Sequence, residues 1–206
     1  MKVGVLNIQG AVSEHLNLLE KCGVEGVPLK GKGELAKVKA LIIPGGESTT
    51  IGRLIKKFHL DREIIEMHKA GKPIWGTCAG MVLLAREIEG ENPHLGLMDI
   101  KVKRNAFGRQ RESFEEELVI KILGKEPFMG LFIRAPIVTR TGLGVEIIST
   151  FQDQVVGVRE GKLLATSFHP ELTEDLRFHK YFLKMAGAGP SQGCHGDGSC
   201  GFSNGR

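Results

Sequence analysis

The composition of this chain indicates one ordinary globular domain. Its 206 residues are 41% apolar, which is enough for a single full hydrophobic core. The 28 basic and 24 acidic side chains are interspersed and leave a formal charge of +4, so no basic block indicates a nucleic-acid partner. No apolar stretch approaches the roughly 20 residues that span a bilayer, which argues against a membrane protein.

The two ends of the chain and its cysteines point to the cytoplasm. Residues 1–7 lack the long apolar core of a signal peptide. Four cysteines are too few and too scattered for a disulfide scaffold. Residues 187–206 are rich in glycine with almost no apolar side chains, and their cysteine and histidine spacing fits no common zinc pattern. We therefore expect one domain over residues 1–186, followed by a tail that is disordered or was added for expression.

The first half of the chain alternates strand and helix patterns. Strands are predicted at residues 2–8, 26–29, 40–43 and 73–75, and helices at 11–22, 34–38, 47–55 and 61–70, with Asp61 as the N-cap of the last. Successive strand–helix units predict an α/β fold with a parallel, doubly wound sheet flanked by helices. Short strand-like segments in the second half, separated by turns, predict added antiparallel strands and thus a mixed sheet: 100–102, 117–123, 129–133, 145–149, 155–159 and 163–166. A closing helix is predicted at 174–185.

Three polar or glycine-rich turns fall at the carboxyl ends of predicted strands. They are Gln9 with Gly10, residues 44–48 (Pro-Gly-Gly-Glu-Ser), and Thr77 with Cys78. Ligands of open α/β sheets bind outside the carboxyl ends of the strands. The sequence therefore predicts a site at this edge.

Cys78 lies at the tip of a strand–turn–helix elbow, Gly-Thr-Cys-Ala-Gly at residues 76–80. Glycines on both sides allow a sharp turn and close helix packing. The free N–H groups at the start of the helix favour a thiolate, so the pattern suggests a nucleophile. The alternative is a buried structural cysteine.

Phe-His-Pro-Glu at residues 168–171 supplies the groups that a thiol nucleophile needs. His169 follows a predicted strand and can exchange a proton with Cys78, and Glu171 can orient the imidazole. The alternative is a surface turn with a solvated glutamate. Gly46 and Ala79 offer backbone N–H groups for an oxyanion. His15, on the apolar stripe of the first helix, is expected to be a satisfied core or edge histidine.

These residues resemble the Cys-His-Glu triad of class I glutamine amidotransferases. Within that superfamily, further stretches resemble the glutaminase subunits of pyridoxal 5′-phosphate synthases; they lie at residues 9–15, 43–50, 104–110 and 132–136. The resemblance covers the chain to about residue 185. It implies a class I glutamine amidotransferase-like fold and no metal or bound cofactor, since pyridoxal phosphate is the product of the assembly.

The resemblance also implies the reaction and its residues. Cys78 attacks the side-chain amide of L-glutamine to give a γ-glutamyl thioester and ammonia, and water activated by His169 then releases glutamate. Glutamine binding is implied for six residues: Gly46, Glu47, Ser48, Arg104, Ile133 and Arg134. A carboxylate and an arginine suit the ammonium and carboxylate of a free amino acid, and which arginine acts is left open. The alternative for both arginines is a surface cation or a structural ion pair.

A partner subunit is part of the same expectation. The resemblance implies a pyridoxal 5′-phosphate synthase (lyase) subunit that receives ammonia and without which glutaminase activity is low. We expect docking to set the peptide geometry at Gly45, with Gln9 near the interface. Two other readings stay open at this point: a stand-alone cysteine hydrolase or peptidase, and a non-catalytic interaction subunit. The Glu47–Ser48 pair argues against the first, and the intact triad argues against the second.

Overall fold

Strands and helices alternate over the first 84 residues of the computed structural model, which describes residues 1–107 and 112–187. The elements of this half are β1 Lys2–Leu6, α1 Val12–Lys21, β2 Glu25–Leu29, β3 Ala40–Ile43, α2 Ser48–Lys57, α3 Leu60–Lys69, β4 Ile74–Thr77 and α4 Ala79–Leu84. The second half is mostly strands: β5 Ala85–Ile88, β6 Met98–Lys103, β7 Ser113–Leu118, β8 Phe128–Ile133, β9 Ile137–Thr141, β10 Glu146–Phe151, β11 Gln154–Glu160 and β12 Leu163–Thr166, with α5 at Arg177–Met185. Short 3₁₀ turns cover Leu35–Lys37, Lys121–Leu123 and Pro170–Leu172.

The main sheet is mixed, with a parallel half that carries the predicted site. Its strand order is β2-β1-β3-β4-β12-β11-β9-β6-β5, with β10 paired to β11 on the side. The first five strands of this order are parallel, and β11 is antiparallel to β12, β9 and β10. Strands β7 and β8 form a separate antiparallel hairpin. The predicted mostly parallel, mixed α/β sheet is confirmed.

Two hydrophobic cores lie on the two faces of the sheet, because its central strands are buried on both sides. In β3, Leu41 and Ile43 pack into one core while Ala40 and Ile42 pack into the other. The first core also contains the apolar faces of α2, α3 and α4. The second contains α1, α5 and an aromatic group that includes Trp75.

Some predicted elements were wrong in detail. Residues 117–123 do not form one strand, because β7 ends at Leu118 and the chain turns into a 3₁₀ segment. Asp61 is not an N-cap: α3 begins one residue earlier, after His59 in a left-handed conformation, and Asp61 lies in the first turn. Strands β5 and β9 were not predicted. The residues 108–110 of the family-like stretch and the tail from 188 onward lie outside the described residues. No helix in the described part is long and apolar enough to cross a membrane.

Candidate active site

The elbow at Cys78 is held by backbone contacts. Cys78 has φ 48° and ψ −104°, a conformation unusual for a residue with a side chain, and its N–H donates to the Thr166 carbonyl at 2.8 Å. A Cβ on Gly80 would overlap the carbonyl of Ile43, and one on Gly76 would overlap Gly80 itself. The two glycines therefore let α4 press against the sheet. Since Ala79 is the first helical residue, its N–H has no acceptor in its own helix.

Strand pairing brings the histidine to the cysteine. Strand β12 lies parallel to β4 with Thr166 opposite Thr77, so the two strands end at the same edge. The chain after β12 therefore carries His169 toward Cys78. His169 is also tied to the β7–β8 hairpin through its N–H, which donates to the Leu131 carbonyl at 2.8 Å.

The three residues of the predicted triad, Cys78, His169 and Glu171, come together in a buried cluster. His169 Nδ1 lies 2.7 Å from Glu171 Oε1, and all three residues are less than a tenth exposed. Burial alone would lower the pKa of His169, but hydrogen bonds and charge from Cys78 and Glu171 raise it to about 10. Burial would raise the pKa of Glu171, yet the two histidines beside it, His15 and His169, hold it below its usual range. With this pKa, the imidazole of His169 is protonated at neutral pH.

A cavity of about 300 Å³ opens over the sulfur atom. This volume is at the lower end of ligand pockets, which are about 300–1,000 Å³, and it suits a small molecule. Most of the residues predicted for the site line it: Gly45, Gly46, Glu47, Ser48, Cys78, Ala79, Arg104, Ile133, Arg134 and His169. Glu171 lies behind His169, and Gln9 lies beside the cavity. Other lining residues were not predicted as site residues: Gly10, Ala11, Val82, Asn105, Pro136 and Leu172.

The glycine turn after β3 is fitted tightly between its neighbours. The Gly45 N–H donates to Thr77 Oγ1 at 3.1 Å, and a Cβ on Gly45 would overlap the ring of His169. Gly10, at φ 101°, lies so close that a Cβ there would overlap the Gly45 carbonyl. The side chain of Gln9 accepts from the Glu47 N–H at 3.2 Å. The turn after β1 and the turn after β3 are therefore mechanically linked.

The charged rim of the cavity is unevenly paired. The Glu47 carboxylate caps α2 by accepting from the N–H groups of Thr49 and Thr50 at 3.1 and 2.7 Å. Partial burial would raise the pKa of Glu47, but these hydrogen bonds outweigh it and lower the pKa to about 2. Arg104 binds Glu47 at 3.0 Å and also contacts Glu91. Arg104 is thus in an ion pair, which was the alternative to glutamine binding in the sequence analysis. It also lines the cavity.

Arg134 differs from Arg104. Its backbone is left-handed at φ 43°, and its N–H donates to the Glu112 carbonyl at 2.7 Å. Its guanidinium lines the cavity without an ion pair to any described residue. The carbonyl of the preceding residue, Ile133, accepts a hydrogen bond from Cys78 Sγ at 3.7 Å. Among the described residues, the rim therefore offers Arg134 as a cation without an ion pair, close to Cys78.

Two residues behind the triad were not assigned a role from sequence. Thr77 accepts from Gly45 and donates to Glu171 Oε1 at 3.4 Å, so it joins the glycine turn to the triad. His15 Nε2 lies 3.5 Å from Glu171 Oε2. Two features of the sequence could have indicated these residues. His15 is a polar side chain among the apolar positions of the first helix, and Thr77 directly precedes Cys78.

Comparisons with known proteins show the family of this chain. The model of the SNO glutamine amidotransferase family matches residues 5–187. The chain is 54% identical to the pyridoxal 5′-phosphate synthase subunit PdxT of Pelotomaculum thermopropionicum, covering 95% of this chain and 100% of that protein. It is equally identical to the subunit of the same name from Moorella thermoacetica, covering 91% and 100%.

Solved structures give the same result for the fold. One titled as a crystal structure of glutamine amidotransferase is 50% identical, covers 90% of this chain and 99% of its own, and superimposes with a TM-score of 0.86. PurLQS from Thermotoga maritima shares the fold at 17% identity and a TM-score of 0.66. The matched length and the relatives at more than half identity lead to one conclusion: this chain belongs to the SNO glutamine amidotransferase family.

Proposed function

We propose that this chain hydrolyses L-glutamine to glutamate and ammonia, and that it passes the ammonia to a synthase subunit that makes pyridoxal 5′-phosphate. The observation that carries this proposal is the Cys78–His169–Glu171 triad at the floor of a small cavity with charged groups on its rim. The names of the relatives, which are subunits of such a synthase, support the biosynthetic role. We assign the activity to residues 1–186 and regard 187–206 as a tail.

The triad would act in two steps. The Cys78 thiolate adds to the amide carbon, and His169, already protonated, gives its proton to the departing nitrogen as the C–N bond breaks. Ammonia leaves and a γ-glutamyl thioester remains. Water then gives a proton to His169 as it adds to the thioester, and the C–S bond breaks to release glutamate and restore the thiolate. Glu171 stabilises the imidazolium throughout.

The oxyanion of each tetrahedral intermediate needs N–H donors. We assign them to Gly46, next to the residue packed on His169, and to Ala79 at the start of α4. Loss of one such donor typically costs about 3–4 kcal/mol in the transition state. Because the Gly45 N–H is already bound to Thr77, it is not a donor in this arrangement.

We assign the amino-acid end of glutamine to the rim. The bound substrate would contact Gly46, Glu47, Ser48, Arg104, Ile133 and Arg134. Between the two arginines, Arg134 is the better partner for the α-carboxylate, because Arg104 is already neutralised by Glu47 and Glu91. Glu47 remains the nearest charge for the ammonium, with one oxygen shared by Arg104.

We propose that docking of the synthase subunit activates the site through Gln9. This side chain accepts from the Glu47 N–H, and neighbouring Gly10 presses on the Gly45 carbonyl, so movement of one turn moves the other. Direct transfer to a partner is physically sensible because ammonia released into water is protonated and no longer nucleophilic.

The decisive experiment measures glutamate release from glutamine with wild type and Cys78→Ala, each with and without the synthase subunit. Activity that needs both Cys78 and the subunit supports the whole proposal. Activity that survives Cys78→Ala would overturn the mechanism, and equal rates with and without the subunit would overturn activation by docking. Cleavage of peptides with no action on glutamine would favour a stand-alone cysteine peptidase.

A further inference from the structure

Two buried histidines lie behind the triad and take no part in the reaction proposed above. His15 on α1 and His179 on α5 are both fully buried, and neither lines the cavity. Trp75 packs edge-on against both rings, with centroid distances of 5.5 and 5.0 Å. Two polar rings at such positions need a reason, because burying a polar group without a partner costs free energy.

The carboxylate of Glu171 gives the first part of the reason. Its Oε1 receives the His169 ring nitrogen at 2.7 Å and the Thr77 hydroxyl at 3.4 Å. Its Oε2 is buried and has no hydrogen bond at ordinary distance from any described residue. Nε2 of His15, which can donate, lies 3.5 Å from Oε2.

The proton positions of both histidines follow from the partners of their nitrogens. An ionised carboxylate only accepts, so the contact with Glu171 favours a proton on His15 Nε2, which faces Glu171 Oε2 and Thr77 Oγ1. His15 Nδ1 is then an acceptor, and His179 Nε2, 3.0 Å away, donates to it. This leaves His179 Nδ1 as a bare buried acceptor, in agreement with its lack of a partner in the described part of the chain.

We propose that His15 is a positioning residue of the triad: its Nε2–H holds the second oxygen of Glu171, and His179 fixes the tautomer that makes this possible. The role rests on the proposed glutaminase function and deepens it. Holding both oxygens fixes the plane of the carboxylate, and with it the ring of His169 and the direction of its proton toward Cys78.

Burial favours the neutral form of both rings, although the charge of Glu171 acts on His15 in the opposite direction. Burial lowers the pKa of His15 and holds the pKa of His179 well below its usual range. The charged and titratable groups around them are Glu14 on the same helix as His15, Glu171 and His169 beyond β12, and Cys78 at the elbow. Neutral His15 donates without adding a second positive charge that would compete with the His169 imidazolium for Glu171.

The test compares His15→Phe with His15→Gln, assayed as the full chain with the synthase subunit. Phenylalanine fills the ring volume without a donor, whereas the glutamine amide can place an N–H near the position of Nε2. We expect His15→Phe to lower kcat about 10- to 100-fold, the effect of a small misplacement of a catalytic group, with KM for glutamine little changed. We also expect the acid limb of the pH–rate profile of His15→Phe to move to higher pH, because Glu171 loses a hydrogen-bond donor. His15→Gln should recover most of kcat.

His68→Phe on α3, across the sheet, is the matched control and should keep both kcat and the pH profile. The second measurement needs no variant: ¹⁵N NMR of the full chain should show His15 as the neutral Nε2–H tautomer at pH 7. A Nδ1–H tautomer, or unchanged kcat and pH profile in His15→Phe, would overturn this role alone. If the wild type does not hydrolyse glutamine, the proposed function fails and this role fails with it. The NMR measurement of the His15 tautomer would then still show whether His15 donates to Glu171.

Discussion

The two walls of the cavity are built in different ways. The elbow wall, formed by Cys78, His169 and Glu171, is buried and held by strand pairing and side-chain hydrogen bonds. The glycine wall, formed by Gly10, Gly45, Gly46 and Glu47, is exposed except at Gly45 and is held largely by backbone shape. The proposed nucleophile and acid are therefore preset, whereas the proposed oxyanion and substrate contacts depend on turns that are largely exposed.

This division has a physical basis. A buried ion pair keeps its geometry because moving either charge leaves the other unpaired at low dielectric. A glycine turn has a wide choice of backbone conformations, so its geometry is set by what packs against it. Under the proposed activation by docking, the elbow wall would stay fixed while the oxyanion donors of the glycine wall are adjusted. The following predictions test that separation, from the largest expected effect to the smallest.

Removing the charge from the elbow wall should have the largest effect. In Glu171→Gln the side chain keeps its shape but no longer stabilises a His169 imidazolium, so we expect kcat to fall about 10³- to 10⁴-fold. The measurement is glutamate release by the chain with the synthase subunit. Glu174→Gln changes an exposed carboxylate that binds Lys21 and should have no effect. A loss of less than tenfold for Glu171→Gln would mean that the triad carboxylate is dispensable.

Disturbing the glycine wall should cost less and act without touching the triad. In Gly10→Ala the new methyl group overlaps the Gly45 carbonyl, so the turn must shift. We expect kcat to fall about 100-fold, which is no more than the loss of one oxyanion donor typically costs. Gly23→Ala is the control: it also has a positive φ, 73°, but open space around it. Both variants should lose about 1 kcal/mol of stability from backbone strain, and Gly10→Ala should lose more because of the overlap with Gly45.

Glutamate release and thermal unfolding, measured on both variants, separate the two effects. Equal activity losses in Gly10→Ala and Gly23→Ala would show that strain alone, and not contact with the glycine wall, lowers activity.

Much of the elbow wall could be predicted from the sequence. The order of strands and helices places Cys78 after β4 and His169 after β12, and short spacing to Glu171 suggests a triad. The adjacency of β4 and β12 is not in the local sequence, because it depends on pairing between segments about 90 residues apart. His15 was expected to be only a core histidine for the same reason: its partner Glu171 lies far along the chain.

The errors in the fold have similar causes. Strand β5 follows α4 without a turn, so no turn signal marks where the helix ends and the strand begins. Residues 117–123 look like one apolar strand, but the chain leaves the hairpin at Leu118 and turns at Lys121–Leu123. The left-handed conformation of His59 displaces the start of α3 by one residue and so removes the predicted cap from Asp61. Propensity does not encode such tertiary constraints.

The rim should separate binding from chemistry. Arg134→Gln removes the unpaired cation, so we expect KM for glutamine to rise about 10- to 100-fold, the value of a hydrogen bond to a charged group, with kcat nearly unchanged. Arg140→Gln alters an exposed arginine that binds Glu87 and Asp99, and it should leave both constants as they are. A fall in kcat at constant KM would place Arg134 with the reacting groups and not with the rim.

The smallest expected change is in one proton equilibrium of the elbow wall. The pKa of His169 is about 10, and a hydrogen bond and charge from Cys78 are among its causes. In Cys78→Ala both are lost while Glu171 and burial remain, so we expect the pKa of His169 to fall by at least about one unit, a tenfold change in the equilibrium. Side-chain NMR titration between pH 6 and 11 measures the pKa of His169. Cys22→Ala, at a cysteine near Lys180, is the control and should leave that pKa unchanged. An unchanged pKa in Cys78→Ala would mean that the sulfur carries no charge in the resting site, and that the histidine must remove its proton during the reaction.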